Sequence, residues 1–294
     1  MTFSRKAVKG ALLAALCTLC ATADADSPNG TQRFYEVRGA KLYSETLGHG
    51  PPILFLHGGM LFFDKNFAKQ RDYFAAYRTV IGIDQRGHGH SPDGPWSLSY
   101  KLMADDTAAV IEQLNLGPVD VVGHSDGGNI ALLLARDHPQ LVRRVVISGA
   151  NLRSGLSPEE AERRRQWPPE EKAAKLQAVS DSLPPSFRLD YGQVSPDGPD
   201  HWMTILAKCY ALWMTTVVIE PGDLKKISAP VLVMAGDHDF TSIEETTEIF
   251  RGLPNGQLII VPATGHGTLQ TRPEFVNLAI REFLNPLDGG TGPH

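Results

Sequence analysis

The stretch Gly123-His124-Ser125-Asp126-Gly127 places a serine between two glycines, at the point where an apolar run gives way to a helical pattern. The apolar run, residues 119–122, predicts a buried strand, and residues 129–138 predict a helix. A serine at such a strand-to-helix turn is typical of a nucleophile elbow. The glycines allow a turn so tight that the serine oxygen is left exposed above the sheet. Ser125 is therefore the candidate nucleophile.

Apolar runs and amphipathic segments alternate along most of the chain. Buried apolar strands that alternate with amphipathic helices predict an α/β fold, with a mostly parallel, doubly wound sheet covered by helices on both faces. Residues 24–151 and 223–287 are predicted to form this core. Strands are expected at residues 33–37, 41–46, 53–56, 79–83, 119–122, 145–147, 231–234 and 258–261, and helices at residues 66–77, 100–116, 129–138, 244–250 and 273–284.

One long segment breaks this alternation. Residues 152–222 contain no convincing buried strand, and they are charged at first and then rich in Trp and Tyr. A loop of this length without structure of its own would be unusual. We interpret the segment as a helical cap, or lid, inserted between two core strands; the alternative is a set of surface helices held by ordinary aromatic contacts. The Gly/Pro-rich tail, residues 288–294, is predicted to be disordered.

The first residues have the pattern of a secretory signal peptide. Arg5, Lys6 and Lys9 form a basic start, and an apolar run at residues 11–20 is followed by small residues. The prediction is that residues 1–23 are removed and that the mature protein is secreted or periplasmic. The alternative is an uncleaved membrane anchor, although the run is shorter than the roughly 20 residues that a span needs.

Charge and cysteine content limit the partners. Loss of residues 1–23 removes three positive charges and no negative ones, so the formal net charge changes from −5 to −8. Such an acidic chain argues against nucleic acid as a partner. Cys17 and Cys20 leave with the signal, and Cys209 alone excludes an intramolecular disulfide. Cys and His show no metal-ligand spacing, so no metal is expected. No organic cofactor is implied, and no membrane anchor is expected on the mature form.

A serine nucleophile needs a base, because free serine is too weak an acid to attack a carbonyl at neutral pH. His266 lies in a Gly265-His266-Gly267 loop after an apolar strand. Imidazole titrates near ~6.5, so its neutral form can accept the serine proton and later protonate the leaving group. A carboxylate should orient the imidazole and stabilise its charged form. Two carboxylates, Asp237 and Asp239, follow the strand at residues 231–234 and compete for that role.

Two backbone N–H groups are needed to stabilise the developing oxyanion. One is expected from Asp126, directly after the nucleophile. The other is expected from the loop after His57-Gly58, at Gly59 or Met60.

Five short motifs occur in sequence over residues 50–285. In this order they resemble the α/β-hydrolase superfamily, in particular its serine-triad members with a helical cap. The resemblance implies that the acid is the third residue after a glycine, which is Asp239, and that Asp237 is a turn residue. The motifs are His57-Gly58-Gly59, residues 84–91, Gly123-His124-Ser125-Asp126-Gly127, Gly236-Asp237-His238-Asp239 and Gly265-His266.

A finer resemblance is to the valacyclovir-hydrolase (biphenyl-hydrolase-like) group. Ser125-Asp126-Gly127-Gly128 and Gly149-Ala150-Asn151 are similar to sequences found in that group. The resemblance implies that Asp126 binds the α-ammonium group of a substrate. The structural alternative is that its carboxylate only stabilises the N-terminus of the following helix.

The resemblance implies a serine hydrolase that cleaves carboxylic esters through a Ser-His-Asp triad and an acyl-enzyme, without a cofactor. The expected partner is therefore a small, ester-like molecule. Several alternatives share the same triad: amidases or aminopeptidases, lactonases, thioesterases, carbon–carbon bond hydrolases and perhydrolases. An alternative of another class is a ligand-binding protein on the same fold with slow turnover.

Overall fold

The computed structural model of the protein describes residues 30–154 and 156–285. The predicted signal peptide at residues 1–23 and the predicted disordered tail at residues 288–294 lie outside this range. Eight strands are found in the described residues: β1 Thr31–Val37, β2 Ala40–Leu47, β3 Pro52–Leu56, β4 Thr79–Ile83, β5 Val119–His124, β6 Val142–Ser148, β7 Val231–Gly236 and β8 Gly256–Val261.

These strands form one sheet in the order β1-β2-β4-β3-β5-β6-β7-β8. The β1–β2 and β2–β4 pairs are antiparallel, and every pair from β4 to β8 is parallel. The helices are α1 Phe63–Ala75, α2 Tyr100–Leu114, α3 Asp126–Asp137, α4 Pro158–Arg165, α5 Pro169–Ser182, α6 Pro185–Val194, α7 Trp202–Trp213, α8 Ile243–Gly252, α9 Thr268–Thr271 and α10 Pro273–Leu284.

Both faces of the sheet are buried at its central strands, which explains the mainly apolar runs of β3, β4, β5 and β7. Leu54 and Leu56 belong to the core cluster that contains residues of α2, α3 and α8. Ile53 and Phe55 belong to the opposite cluster, which contains residues of α1 and α10. Successive side chains of a strand point to opposite faces, so a strand covered on both sides has no polar position. The mostly parallel, doubly wound α/β fold predicted from the sequence is confirmed.

The helix after the elbow begins earlier than the sequence pattern indicated. The predicted start was residue 129, whereas α3 begins at Asp126. Gly127 and Gly128 have low helix propensity, so the sequence pattern did not predict the first turn of α3 as helical. The early start places the positive end of the helix dipole directly beside Ser125.

The segment between β6 and β7 is helical and contains α4 to α7. Helix α7 is fixed to the sheet domain: Lys208 Nζ lies 2.7 Å from Asp93 Oδ1, and Cys209 Sγ lies 3.3 Å from His88 Nε2. Helix α5, by contrast, has no buried residue and packs against α7. In the part of the chain that the structure describes, no helix combines the length and the apolar character needed to cross a bilayer.

Candidate active site

The turn between β5 and α3 holds Ser125 in a strained conformation. Its φ is 53° and its ψ is −120°, a backbone geometry that side-chain-bearing residues rarely adopt. A Cβ on Gly123 would lie 2.2 Å from the carbonyl oxygen of Gly127, and a Cβ on Gly127 would lie 1.9 Å from that of Leu56. Neither position can carry a side chain. The two glycines of the motif are therefore a steric requirement of this turn.

His266 is hydrogen-bonded to one of the two competing carboxylates. It lies in the loop between β8 and α9, and its Nδ1 is 2.8 Å from Oδ1 of Asp239, in the loop after β7. The Asp239 side chain is fully buried, and the same oxygen accepts a hydrogen bond from the Thr241 N–H at 3.1 Å. Because a carboxylate only accepts, Nδ1 carries the proton and Nε2 of the neutral ring is left as an acceptor.

Asp237 bonds to its own neighbourhood instead. Its Oδ1 accepts hydrogen bonds from the Thr264 N–H at 3.0 Å and from His238 Nδ1 at 2.8 Å. Hydrogen bonds from the Ala263 backbone, from His238 and from the Thr264 backbone hold its pKa far below the usual range. Asp237 thus joins the end of β7 to the loop that precedes His266.

A cavity of about 810 Å³ lies above these groups. Ser125 and His266 both line it, and so do Gly59 and Asp126. Met60 is not among the described residues that line it. Much of the remaining wall is apolar, with leucine, proline, phenylalanine and tryptophan side chains from the core and from α6 and α7. The cavity therefore suits a ligand that is largely apolar and has one polar reacting group.

The loop after β3 is fixed by buried polar groups. His57 Nδ1 donates to the Gly58 carbonyl at 2.8 Å, and its Nε2 accepts the Gln85 N–H at 2.9 Å. Asn66 Oδ1 accepts the Gly58 N–H at 2.8 Å. A Cβ on Gly59 would lie 2.4 Å from Asp126 Oδ2, so this position is restricted to glycine. The sequence analysis missed Asn66, which carries no motif of its own.

Asp126 faces the cavity but already has two partners. Its Oδ1 accepts a hydrogen bond from the Tyr100 hydroxyl at 2.7 Å, and its Oδ2 accepts one from the Trp213 indole N–H at 2.9 Å. Burial raises the pKa of Asp126, and the bonds from Trp213 and Tyr100 act in the opposite direction. The carboxylate therefore ties α2, α3 and the end of α7 together at the cavity wall.

Two further residues surround the His266 imidazole. His124 is buried behind it; its Nε2 donates to the His266 carbonyl at 2.9 Å, and the two ring centroids are 4.9 Å apart. Burial lowers the pKa of His124 to about 4, so this ring is neutral near pH 7. Gly149 has a φ of 65°, and a Cβ there would lie 2.8 Å from His266 Nδ1. Its only sequence signal was the Gly149-Ala150-Asn151 motif.

Acidification is expected to destabilise the protein between pH 6.5 and 4. Burial lowers the pKa of His57 and of His124 from 6.5 to about 4 each. In this window the unfolded chain binds more protons than the native state, so the free energy of unfolding falls as the pH falls. The loss is up to roughly 3 kcal/mol per histidine. Urea unfolding at several pH values between about 7 and 5 gives the free energy of unfolding and tests whether it falls as predicted.

A glutamine at position 57 can donate and accept but does not titrate. The His57→Gln variant should therefore lose part of the pH dependence, since His124 and His88, whose pKa burial also lowers, still titrate. His49, which is exposed in the loop between β2 and β3, supplies the control for the substitution itself, and His49→Gln should change the slope less than His57→Gln does. An unchanged slope in His57→Gln would contradict the prediction.

The strand-to-helix elbow, the hydrogen-bonded His–Asp pair and the doubly wound sheet define a hydrolase of the α/β class. A family model described as the alpha/beta hydrolase family matches residues 53–279. The chain belongs to this family, and the superfamily predicted from the five motifs is confirmed.

Two of the curated relatives are hydrolases with different substrates. The sn-1-specific diacylglycerol lipase ABHD11 of Mus musculus is 29% identical over 253 residues, which cover 80% of this chain and 81% of the lipase. The (E)-2-((N-methylformamido)methylene)succinate hydrolase of Acinetobacter baylyi is 28% identical over 256 residues, which cover 81% of this chain and 91% of that hydrolase.

A solved structure of a thermophilic esterase from Thermogutta terrifontis is similar in fold. The TM-score is 0.67 and the sequence identity is 26%, and the match covers 87% of this chain and 97% of the esterase. These similarities place the protein among the α/β hydrolases. Because one fold serves many substrates, the substrate class has to be argued from the cavity of this protein.

Proposed function

We propose that the protein is a serine hydrolase that cleaves carboxylic esters through a Ser125-His266-Asp239 triad. The observation that carries this proposal is the 2.8 Å hydrogen bond between His266 Nδ1 and Asp239, with Ser125 and His266 on the wall of one cavity. That bond fixes the tautomer in which Nε2 accepts a proton. The esterase and lipase names among the similar proteins support the same chemistry.

The reaction begins when the Ser125 oxygen attacks the ester carbonyl and its proton passes to His266 Nε2. Asp239 stabilises the imidazolium that results. The tetrahedral intermediate collapses when the imidazolium protonates the alcohol oxygen and the carbon–oxygen bond breaks. Water then loses a proton to His266 and attacks the acyl-enzyme. The imidazolium returns that proton to the Ser125 oxygen as the bond to the acyl carbon breaks, so the acid is released and Ser125 and His266 are restored.

The backbone N–H groups of Gly59 and Asp126 are the proposed oxyanion donors. Asp126 begins α3, so its N–H is unpaired within the helix and lies at the positive end of the helix dipole. Between the two loop candidates we favour Gly59, because it lines the cavity. The Met60 backbone instead hydrogen-bonds to the buried thiol of Cys209, whose pKa is raised by burial. Losing one such donor typically costs about 10²–10³ in rate.

We also propose that residues 152–222 form a lid over the cavity. Leu183, Pro184 and Phe187, at the junction of α5 and α6, line the cavity beside Ser125 and His266. Lys65 of α1, in the sheet domain, forms an ion pair with Asp190 of α6, in the proposed lid, at 2.5 Å between Nζ and Oδ2. The apolar wall of the lid and the cavity size support an ester with an apolar acyl or alcohol portion.

An active-site probe tests the proposed function directly. A fluorophosphonate should label wild-type protein rapidly at Ser125, and Ser125→Ala should take up no label. A panel of p-nitrophenyl esters of rising chain length, with amino-acyl esters and lactones beside it, should then show turnover of neutral esters. Tight ligand binding without labelling would instead support a binding protein and refute the esterase.

The ammonium hypothesis for Asp126 gives a separate prediction. If the carboxylate binds a substrate cation, Asp126→Asn should lower kcat/KM about tenfold on amino-acid esters and spare neutral esters of the same alcohol. Parallel kinetics on matched pairs of esters make the measurement. Because the Asp126 carboxylate accepts hydrogen bonds from Tyr100 and Trp213, the variant should also lose thermal stability whether or not the carboxylate binds a cation. Equal losses on both ester types would show that Asp126 is structural.

Export of the protein also remains our proposal. The basic start and the apolar run at residues 11–20 support it. N-terminal sequencing of the protein recovered from a periplasmic extract should find a start close to residue 24. An intact N-terminus in a membrane fraction would favour the anchor.

A further inference from the structure

Phe240 is an exposed aromatic residue in an unusual place. It follows Asp239 directly and lines the cavity, yet its exposed fraction is 77%, the highest of the large apolar side chains in the part of the chain that the structure describes. Its ring stacks on the imidazole of His266, with centroids 4.0 Å apart and planes inclined by 33°. The apolar face that remains uncovered is available to a ligand in the cavity.

Two contacts other than this stacking hold His266. Asp239 holds the ring through Nδ1, and His124 holds the backbone of the same residue through its carbonyl oxygen. Removal of the Phe240 ring therefore leaves both of these contacts in place to position the imidazole. The exposed ring is better explained as a surface for the substrate.

The chemistry defines which part of the substrate meets that surface. Its acyl carbon lies at Ser125 and its carbonyl oxygen lies at the Gly59 and Asp126 amides. The alcohol oxygen must lie against His266, because the imidazolium protonates it as the carbon–oxygen bond breaks. Phe240, whose ring lies on that imidazole, is therefore on the alcohol side.

We propose that Phe240 is a specificity-determining residue that contacts the apolar or aromatic part of the leaving alcohol. This inference rests on the proposed ester hydrolysis, and it identifies the leaving alcohol as the part of the substrate that Phe240 contacts. Aromatic pairs prefer stacked or edge-to-face contacts that add to the burial of apolar area. An aromatic alcohol should consequently be favoured about tenfold by this residue.

Two ester series separate the two sides of the cavity. In one, butanoate esters of methanol and benzyl alcohol vary the alcohol; in the other, methyl acetate, butanoate and hexanoate vary the acyl group. In Phe240→Ala the benzyl-to-methyl ratio of kcat/KM should fall about tenfold, with a smaller fall in Phe240→Leu, while the acyl preference stays unchanged. The rate of acyl-enzyme breakdown, measured after a burst, should also be unchanged because the alcohol has already left.

Phe275→Ala is the matched control. Phe275 is 47% exposed on α10 and does not line the cavity, so this variant should keep the wild-type ratios. An equal loss on every ester with slower acyl-enzyme breakdown would show that Phe240 positions His266, and it would overturn the inference. An altered acyl preference or unchanged ratios in Phe240→Ala would overturn it too. Failure of the proposed function looks different, since wild-type protein would then neither hydrolyse the esters nor take up the probe.

Discussion

Replacing Asp239 with asparagine is expected to lower kcat by about 10⁴-fold, because the amide permits the wrong tautomer of the catalytic imidazole. An asparagine can turn its NH₂ group toward His266, which then keeps its proton on Nε2 and cannot accept one from Ser125. The buried carboxylate also stabilises the imidazolium, and that stabilisation is lost. Steady-state kinetics on a p-nitrophenyl ester measure the loss, with fluorophosphonate labelling as a second readout.

Asp237→Asn is the matched control, two residues away on the same loop. Its amide oxygen can still accept the Thr264 N–H, so the loop should keep its shape and the rate should fall less than about tenfold. Thermal unfolding of both variants separates catalysis from stability. If Asp237→Asn lost as much activity as Asp239→Asn, the assignment of the acid to Asp239 would be wrong.

Gly149→Ala is expected to lower kcat/KM by about 10²-fold without any change to a triad residue. A Cβ at this position would lie 2.8 Å from the Cε1 and Nδ1 atoms of His266 and 3.2 Å from Asp239 Oδ2. The imidazole must move to relieve the overlap, and a misplacement of about 1 Å is enough for a loss of this size. Kinetics on the same ester, with the burst amplitude to count working sites, provide the measurement.

The backbone strain of an alanine at positive φ needs its own control. Gly39 has a φ of 75° in the turn between β1 and β2, and nothing lies within 4 Å of a Cβ built there. Gly39→Ala should therefore lose about the same 1–2 kcal/mol of stability from left-handed strain and keep full activity. Full activity in Gly149→Ala as well would refute the proposed clash.

The fold was largely readable from local patterns. The strands that form the sheet were predicted within a few residues, and the last helix was predicted with the bounds Pro273–Leu284 that the structure has. Hydrophobic periodicity works well here because the sheet is buried on both faces, so apolar runs and amphipathic segments differ sharply. Boundaries failed where glycine hid the first turn of α3, because propensity is overridden by tertiary packing.

The candidate site was readable where a residue is required for steric or chemical reasons within a short motif. Ser125 and its flanking glycines belong to that class. The restriction of Gly59 to glycine does not, because the atoms that a Cβ would meet there belong to Asp126 and Trp213. The finer resemblance to the valacyclovir-hydrolase group stays a prediction, because the partners of Asp126 come from elsewhere in the chain. Trp213, which binds its carboxylate, is 87 residues away in sequence.

The sequence by itself determined that a serine stands on a glycine-flanked strand-to-helix turn in a doubly wound α/β fold, because those features depend on neighbouring residues and on side-chain period. The residues left Asp237 and Asp239 in competition, and only the family resemblance pointed to Asp239. The tertiary structure bonds Asp239 to His266, and it alone decided that Gly149 leaves room for the ring and that Phe240 covers its face. Those contacts join loops from different strands at one edge of the sheet. Their geometry is decided by how the strands are ordered and packed, which no local pattern encodes.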